Sequence, residues 1–156
     1  MGAQAGEARN GDTGPMTDTG TTAYSGEYEI SEWVAEPYSE PGSTGELSRV
    51  RAAKVFEGEI SGTSTAELLM AGNDVGAGYV ASEQFVGSIG ERTGAMTVQH
   101  WGVAEGADAA SSGHIIPGSG TDGLRGISGK AVYSQDPDGQ HRLELRVTFA
   151  AAVDDE

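Results

Sequence analysis

The chain of 156 residues contains no cysteine and few basic residues, and both absences exclude classes of function. Without cysteine there are no disulfides, no thiol catalysis and no cysteine-ligated zinc. Lysine and arginine total 9 against 24 aspartate and glutamate residues, which gives a formal net charge of −15. Phosphate backbones and anionic lipid surfaces repel so acidic a chain, so neither nucleic acid nor membrane is an expected partner.

Long apolar runs are also lacking. No window approaches about 18 consecutive apolar residues, and the N-terminus has no basic and apolar signal pattern. These features predict a soluble, cytoplasmic protein. The length suits a single domain. Glycine is abundant at 25 residues, and the hydrophobic fraction of 37% supplies enough apolar material for one core.

Residues 1–22 differ in amino-acid composition from the rest of the chain. They carry many glycines and Pro15 but almost no large apolar side chain. Such a stretch buries too little surface to offset the entropy lost on ordering, which predicts a disordered N-terminal arm. Residues 23–156 then form one domain. Met16 lies inside the arm, so the sequence leaves open whether the functional chain starts there.

From Tyr24 onward, short runs of β-branched and aromatic residues alternate with glycine-rich turns. The best helix candidate, residues 64–72, is short and ends at glycine, whereas period-two alternation is clear elsewhere. Many short strands punctuated by glycine predict an all-β fold, a closed antiparallel eight-stranded barrel with a central cavity; a β-sandwich is the alternative. The predicted strands are residues 24–35, 47–60, 63–72, 78–89, 94–103, 108–116, 124–134 and 140–151.

Residues 115–129, with the sequence IIPGSGTDGLRGISG, resemble the signature of a family of small bacterial domains of unknown function. Three other stretches agree with this family: residues 28–30 followed by Trp33, residues 56–62, and residues 94–100. The resemblance covers roughly residues 24–150 and implies a closed, hollow antiparallel barrel related in fold to allene oxide cyclase. It implies no reaction, because such barrels include oxylipin cyclases, dirigent proteins and natural-product cyclases.

Glu83 and His100 form the candidate catalytic pair. Glu83 is the one acidic residue on the apolar face of the fourth predicted strand, and His100 lies on the apolar face of the fifth. A four-residue turn at residues 90–93 places Glu83 directly opposite His100, within reach of a carboxylate–imidazole hydrogen bond. Such a pair can transfer a proton or orient a carbonyl or enol. The alternative is a buried polar pair that satisfies itself and closes the barrel.

Several apolar and aromatic residues are predicted to line the cavity and bind substrate, although ordinary core packing is the alternative for each. These residues are Tyr79, Phe85, Met96, Val98, Trp33, Phe56 and Trp101. Glu32, Glu67 and Ser119 are weaker candidates, and Gln99 is assigned to the exterior. Six glutamates with no lysine or arginine, between Glu27 and Glu46, predict a solvated acidic face; a cation-attracting rim is the alternative.

No cofactor and no metal are predicted. Gly118, Gly120 and Gly123 satisfy the G-x-G-x-x-G pattern, but the following residues lack the helix that dinucleotide binding requires. This stretch is instead interpreted as a tight connection at a barrel corner. The histidines, His100, His114 and His141, lack the close spacing of metal ligands.

Small residues on the strand faces favour an open interior. The favoured hypothesis is therefore a cofactor-free cyclase or isomerase, whose cavity folds an apolar, polyketide-like molecule into its reactive conformation. The alternative is a carrier or sensor of lipocalin type that releases its ligand unchanged, and a third reading is a packed scaffold. The partner in the first two cases is an apolar small molecule, and the sequence leaves open whether several copies associate.

Overall fold

The computed structural model describes residues 20–106 and 108–150, and these form a closed β-barrel. The strands are β1 (Thr22–Pro37), β2 (Glu46–Gly58), β3 (Ile60–Gly72), β4 (Gly76–Ile89), β5 (Arg92–Glu105), β6 (Asp108–Ile115), β7 (Ile127–Gln135) and β8 (His141–Phe149). Each strand pairs antiparallel with the next, and β8 pairs with β1. The predicted barrel is confirmed, and the sandwich is not formed.

The predicted strand positions hold to within a few residues, with two informative exceptions. β3 begins at Ile60, earlier than expected, because Gly58 (φ 113°) lets the chain reverse almost at once after β2. β7 begins only at Ile127, because the preceding residues form a loop and a short 3-10 helix, Asp122–Leu124. The helix candidate at residues 64–72 is strand. Within the described part of the chain, no helix could span a membrane.

The predicted N-terminal arm lies outside the described residues over residues 1–19. Thr22, the last residue assigned to that arm, is the first residue of β1. It pairs with Val147 of β8, so the ordered barrel begins slightly earlier in the chain than the composition indicated.

The glycine-rich segment before β7 closes one end of the barrel, called the bottom below. Its backbone continues the pairing along β5, since Ile116 N–H donates to the Thr97 carbonyl at 2.9 Å and Thr121 N–H donates to the Ala95 carbonyl at 2.9 Å. The 3-10 helix then buries Leu124 completely in the interior. The segment therefore serves as a structural plug at a barrel corner.

The interior is built in three layers. A large apolar cluster, the lower core, fills the bottom; its largest members are Tyr28, Phe56, Ile60, Phe85, Ile89, Met96, Leu124, Ile127, Tyr133, Leu143 and Leu145. Above it lies a polar layer of buried Lys54, Ser64, Glu83 and His100. Small and branched residues form the upper layer: Val50, Ala52, Ala66, Leu68 and Ala81. The polar layer is thus enclosed by apolar side chains on both sides, which strengthens its electrostatic interactions.

The opposite end of the barrel, the mouth, is open. β6 and β7 pair only over Ser112–His114 and Lys130–Val132, so the two strands separate above this short ladder. β1 pairs with β8 only as far as Tyr28 but with β2 as far as Pro37. Open space therefore lies at the mouth, while the middle and bottom of the barrel are filled.

Candidate functional site

Glu83 is the centre of the polar layer. Its side chain is only 2% exposed, and its carboxylate accepts hydrogen bonds from four donors. Oε1 accepts from Lys54 Nζ at 3.0 Å, His100 Nε2 at 2.8 Å and Tyr133 Oη at 3.0 Å. Oε2 accepts from Ser64 Oγ at 2.5 Å. Because donors contact both oxygens, three at Oε1 and one at Oε2, the carboxylate is held in one orientation.

Glu83 and His100 meet as predicted, but through a different register. The turn between β4 and β5 contains two residues, Gly90 and Glu91, rather than four, because Gly90 adopts φ 61° and permits a tight hairpin. Glu83 therefore lies opposite Val98, with His100 its diagonal neighbour. The predicted pairing of Glu83 directly opposite His100 was wrong by two residues, and an even shift leaves both side chains facing inward.

Burial alone would raise the pKa of Glu83, since it penalises the charged form. The hydrogen bond from His100, the charge of Lys54 and the hydrogen bond from Ser64 outweigh that effect and lower the pKa to about 2. Glu83 is therefore an anion at physiological pH. Lys54 sits 4.7 Å from the ring centres of both Tyr28 and Tyr133, so cation–π contacts complete the surroundings of its ammonium group.

A chain of hydrogen bonds leads from this anion to the mouth. Because the Glu83 carboxylate only accepts, His100 Nε2 carries the proton between them, and in the neutral imidazole Nδ1 is an acceptor. Tyr79 Oη lies 2.8 Å from that Nδ1 and 2.9 Å from Ser111 Oγ. The order Ser111, Tyr79, His100, Glu83 thus connects the barrel mouth to a buried negative charge.

The Ser111 end of this hydrogen-bonded series opens into a cleft of about 610 Å³ at the barrel mouth. The cleft lies where β6 and β7 separate, and small or apolar groups make up most of its walls. Its lining is Met70, Ala77, Gly78, Tyr79, Gly102, Val103, Ala104, Ala109, Ala110, Ser111, Tyr133, Ser134 and Gln135. Burial raises the pKa of Tyr79, partly offset by the Ser111 hydrogen bond and reinforced by Glu83, so its phenol stays protonated.

Comparison with known proteins places this barrel in a family. The sequence profile described as "Protein of unknown function (DUF3224)" matches residues 24–147. The chain belongs to the DUF3224 family. A crystal structure of a DUF3224 protein of unknown function from Shewanella oneidensis MR-1 is similar, with 31% identity and a TM-score of 0.76. The match covers 85% of this chain and 99% of that one. No curated protein matches the chain.

The family resemblance inferred from residues 115–129 is therefore confirmed. In this DUF3224 protein the signature segment is the plug at the barrel bottom, away from the mouth cleft. Ser119, a weaker site candidate, hydrogen bonds to the backbone of Thr97 and Ile116 within this plug. The signature thus identifies the fold of the DUF3224 chain and contributes none of the residues that line the cleft.

The other predicted site residues separate into four groups. Tyr79 lines the cleft and contacts His100. Phe56, Phe85, Met96 and Val98 face inward but are packed in the lower core. Trp101 lies on the outer wall, 45% exposed, because it alternates with inward-facing His100, and it does not line the mouth cleft.

Trp33 stands at the mouth, beyond the closed part of the wall. It pairs with Ala52 and so lies on the inner side of the sheet, yet it is 48% exposed because β8 does not reach this height. Glu32 and Glu67 are exposed, and Gln99 is exposed as expected. Within the two described ranges, no group of three histidine or acidic residues is arranged to hold a metal ion.

Four residues of the site were not identified from the sequence: Lys54, Ser64, Ser111 and Tyr133. Lys54 gave the same signal as Glu83, since it is the one polar member of the alternating series Val50, Ala52, Lys54 and Phe56. Ser64 and Ser111 gave none, because serine is common on exposed and buried faces alike. Tyr133 approaches Glu83 across the barrel from β7, a contact that only the closed fold creates.

Proposed function

We propose that the mouth cleft binds a small, largely apolar molecule and that Tyr79, backed by His100 and Glu83, moves a proton on it. The reaction class is a cofactor-free isomerisation or cyclisation. The observation that carries this proposal is the hydrogen-bonded series from the cleft wall at Ser111 and Tyr79 to the buried Glu83 carboxylate. If Glu83 and His100 only stabilised the barrel, they would not need a hydrogen-bonded connection to an open cleft.

The proton transfer balances without a cofactor. An acidic substrate C–H or O–H gives its proton to Tyr79 Oη while Tyr79 gives its own proton to His100 Nδ1. The resulting imidazolium keeps its Nε2–H bond to the Glu83 carboxylate, 2.8 Å away, which stabilises the new charge. Reversal of both transfers returns the proton to another substrate atom, which completes an isomerisation or a ring closure.

The cleft walls support a substrate with one oxygen on an apolar body. The hydroxyls of Tyr79 and Ser111 suit a carbonyl or enol oxygen, Ser134 and Gln135 add further polar groups, and the alanine and glycine walls suit a hydrocarbon frame. A compact polyketide-like carbonyl compound has this chemistry. We propose that the reaction takes place in the cytoplasm. The absence of cysteine fits a compartment in which disulfides are rare.

A carrier is the second candidate, and one observation favours it. Glu83 already accepts four hydrogen bonds, and the Tyr79 hydroxyl is bonded to both His100 and Ser111, so the network is complete without a ligand. A complete hydrogen-bond network can stabilise the barrel while the cleft binds a ligand without changing it. Carrier and enzyme therefore share the cleft and differ in whether Tyr79 moves a proton.

Filling the cleft tests the shared part of both candidates. Ala104 lines the cleft and faces Ala109, so the Ala104→Trp variant should occupy the space and weaken binding of N-phenyl-1-naphthylamine, a neutral fluorescent probe, by about 10-fold or more. The measurement is fluorescence titration. Val86→Trp is the matched control, because Val86 is exposed on the outer wall. Equal affinity of the two variants would show that the probe binds elsewhere.

The catalytic part is tested with benzoylacetone, an apolar β-diketone whose enol absorbs in the ultraviolet. The protein should accelerate its keto–enol conversion, and the Ala104→Trp variant should lose most of that acceleration. Binding of the naphthylamine without any acceleration of enolisation by the unmodified protein would favour the carrier.

A further inference from the structure

Among the described residues, no strand lies beside the upper half of β1 on the side away from β2. Ile30 and residues 32–37 pair with β2, but the ladder between β1 and β8 ends at Tyr28. The register shift between Ile30 and Glu32 marks the start of this free section. Eight consecutive residues are as long as many complete strands, and an unpaired edge presents backbone N–H and C=O groups to any incoming extended chain.

Side chains along this edge alternate in chemistry. Ile30, Trp33 and Ala35 pair with inward-facing residues of β2 and form an apolar inner face, and all are exposed. On the outer face Glu32 and Glu36 flank Val34. This is the pattern of a half-buried strand whose apolar inner face, unlike the single exposed Trp101 of the outer wall, is continuous over several residues that no described strand covers.

The negative charge along this edge of β1 determines which kind of partner can bind there. The interval from Glu27 to Glu46 holds six glutamates and no lysine or arginine. On the neighbouring β2, Arg49 lies 3.9 Å from Glu36 and over the Tyr38 ring, and Arg51 pairs with Glu67. Antiparallel pairing of two copies centred on Val34 would set Glu32 opposite Glu36, and like charges in that position repel. In that register a second copy of this chain is disfavoured, whereas the glutamates attract a basic strand in any register.

We infer that the free edge of β1 is a docking site for an extended segment of another protein in which basic and apolar residues alternate. The segment would add a strand beside residues 30–37, with its apolar side chains over Ile30 and Trp33 and its basic side chains beside Glu32 and Glu36. Backbone hydrogen bonds supply affinity, and the two faces select the sequence. This inference does not depend on the activity proposed for the cleft.

A capped peptide of alternating lysine and valine is the probe, with binding followed by tryptophan fluorescence and by amide shifts in NMR spectra. We expect shifts concentrated in residues 30–37, and an affinity at least about 10-fold weaker for the Glu32→Lys, Glu36→Lys double variant. Glu91→Lys with Glu105→Lys is the matched control, which makes the same change in net charge at exposed positions elsewhere and should bind within about 2-fold of the unmodified protein.

A second peptide separates strand addition from general attraction to an acidic protein. Replacing its central valine with proline keeps every charge but removes a backbone donor, and binding should weaken at least about 10-fold. Equal binding of the two peptides, or shifts spread over the whole surface, would overturn the inference. A concentration-dependent dimer with protected β1 amides would also overturn the inference, because the free edge would then pair with a second copy of this chain.

Discussion

Replacing Glu83 with alanine should lower the free energy of unfolding by about 3–5 kcal/mol, because the ammonium of Lys54 would remain buried without a counter-charge. Lys54 Nζ lies 3.0 Å from the Glu83 carboxylate, and both side chains are almost fully enclosed. Urea unfolding followed by fluorescence measures the change. The surface variant Arg51→Ala, which breaks a 2.6 Å ion pair with Glu67, is the control and should cost less than about 1 kcal/mol.

A double variant tests whether the loss of stability comes from the unpaired charge of Lys54. In Glu83→Leu with Lys54→Met both charges are replaced by apolar side chains, and most of the lost stability should return. If the double variant is no more stable than Glu83→Ala, the cost does not come from an uncompensated lysine, and the account of the polar layer is wrong.

The same carboxylate gives the barrel a defined acid sensitivity. The pKa of Glu83 is lowered from 4.5 to about 2, so the folded protein binds fewer protons than the unfolded chain in that interval. Its stabilisation is complete above about pH 4.5 and disappears as the pH falls towards 2. Stability measured across this range should fall in the unmodified protein and fall less steeply in Glu83→Gln.

Replacing Tyr79 with phenylalanine should reduce benzoylacetone enolisation by about 10²–10⁴-fold, the usual contribution of a positioned acid or base. The ring and its packing remain, so naphthylamine affinity should change by less than about 2-fold. Tyr24→Phe is the control, since Tyr24 packs against the lower core at the closed end. Equal enolisation rates for Tyr79→Phe and the unmodified protein would leave only the carrier.

The sequence was sufficient to predict the closed barrel and the inward direction of Glu83 and His100. The closed barrel was expected from many short strands punctuated by glycine and from the family resemblance. The inward direction of the two side chains follows from period-two alternation, which survives an error in register when that error is even. The two-residue turn at Gly90 and Glu91 could not be distinguished from a longer one, because glycines and polar residues on both sides allow either. The direct pairing with His100 was therefore wrong although the contact was right.

The rest of the site required the three-dimensional fold. Tyr133 reaches Glu83 from the opposite side of the barrel, and Ser111 joins Tyr79 only where β6 and β7 separate. Alternation gives each strand two faces but does not say at which height a residue sits or where the wall opens. For the same reason the alternation could not predict that a cleft opens at the mouth, above the lower core and the polar layer.

Long-range proton–nitrogen NMR on the side chain of His100 tests the proton relay most directly. At neutral pH we predict a proton on Nε2, directed at Glu83, and an unprotonated Nδ1 that accepts from Tyr79; in Tyr79→Phe the Nδ1 signal should shift strongly while Nε2 stays in place. A proton found on Nδ1 in the unmodified protein would contradict the account, because His100 could then take no proton from Tyr79.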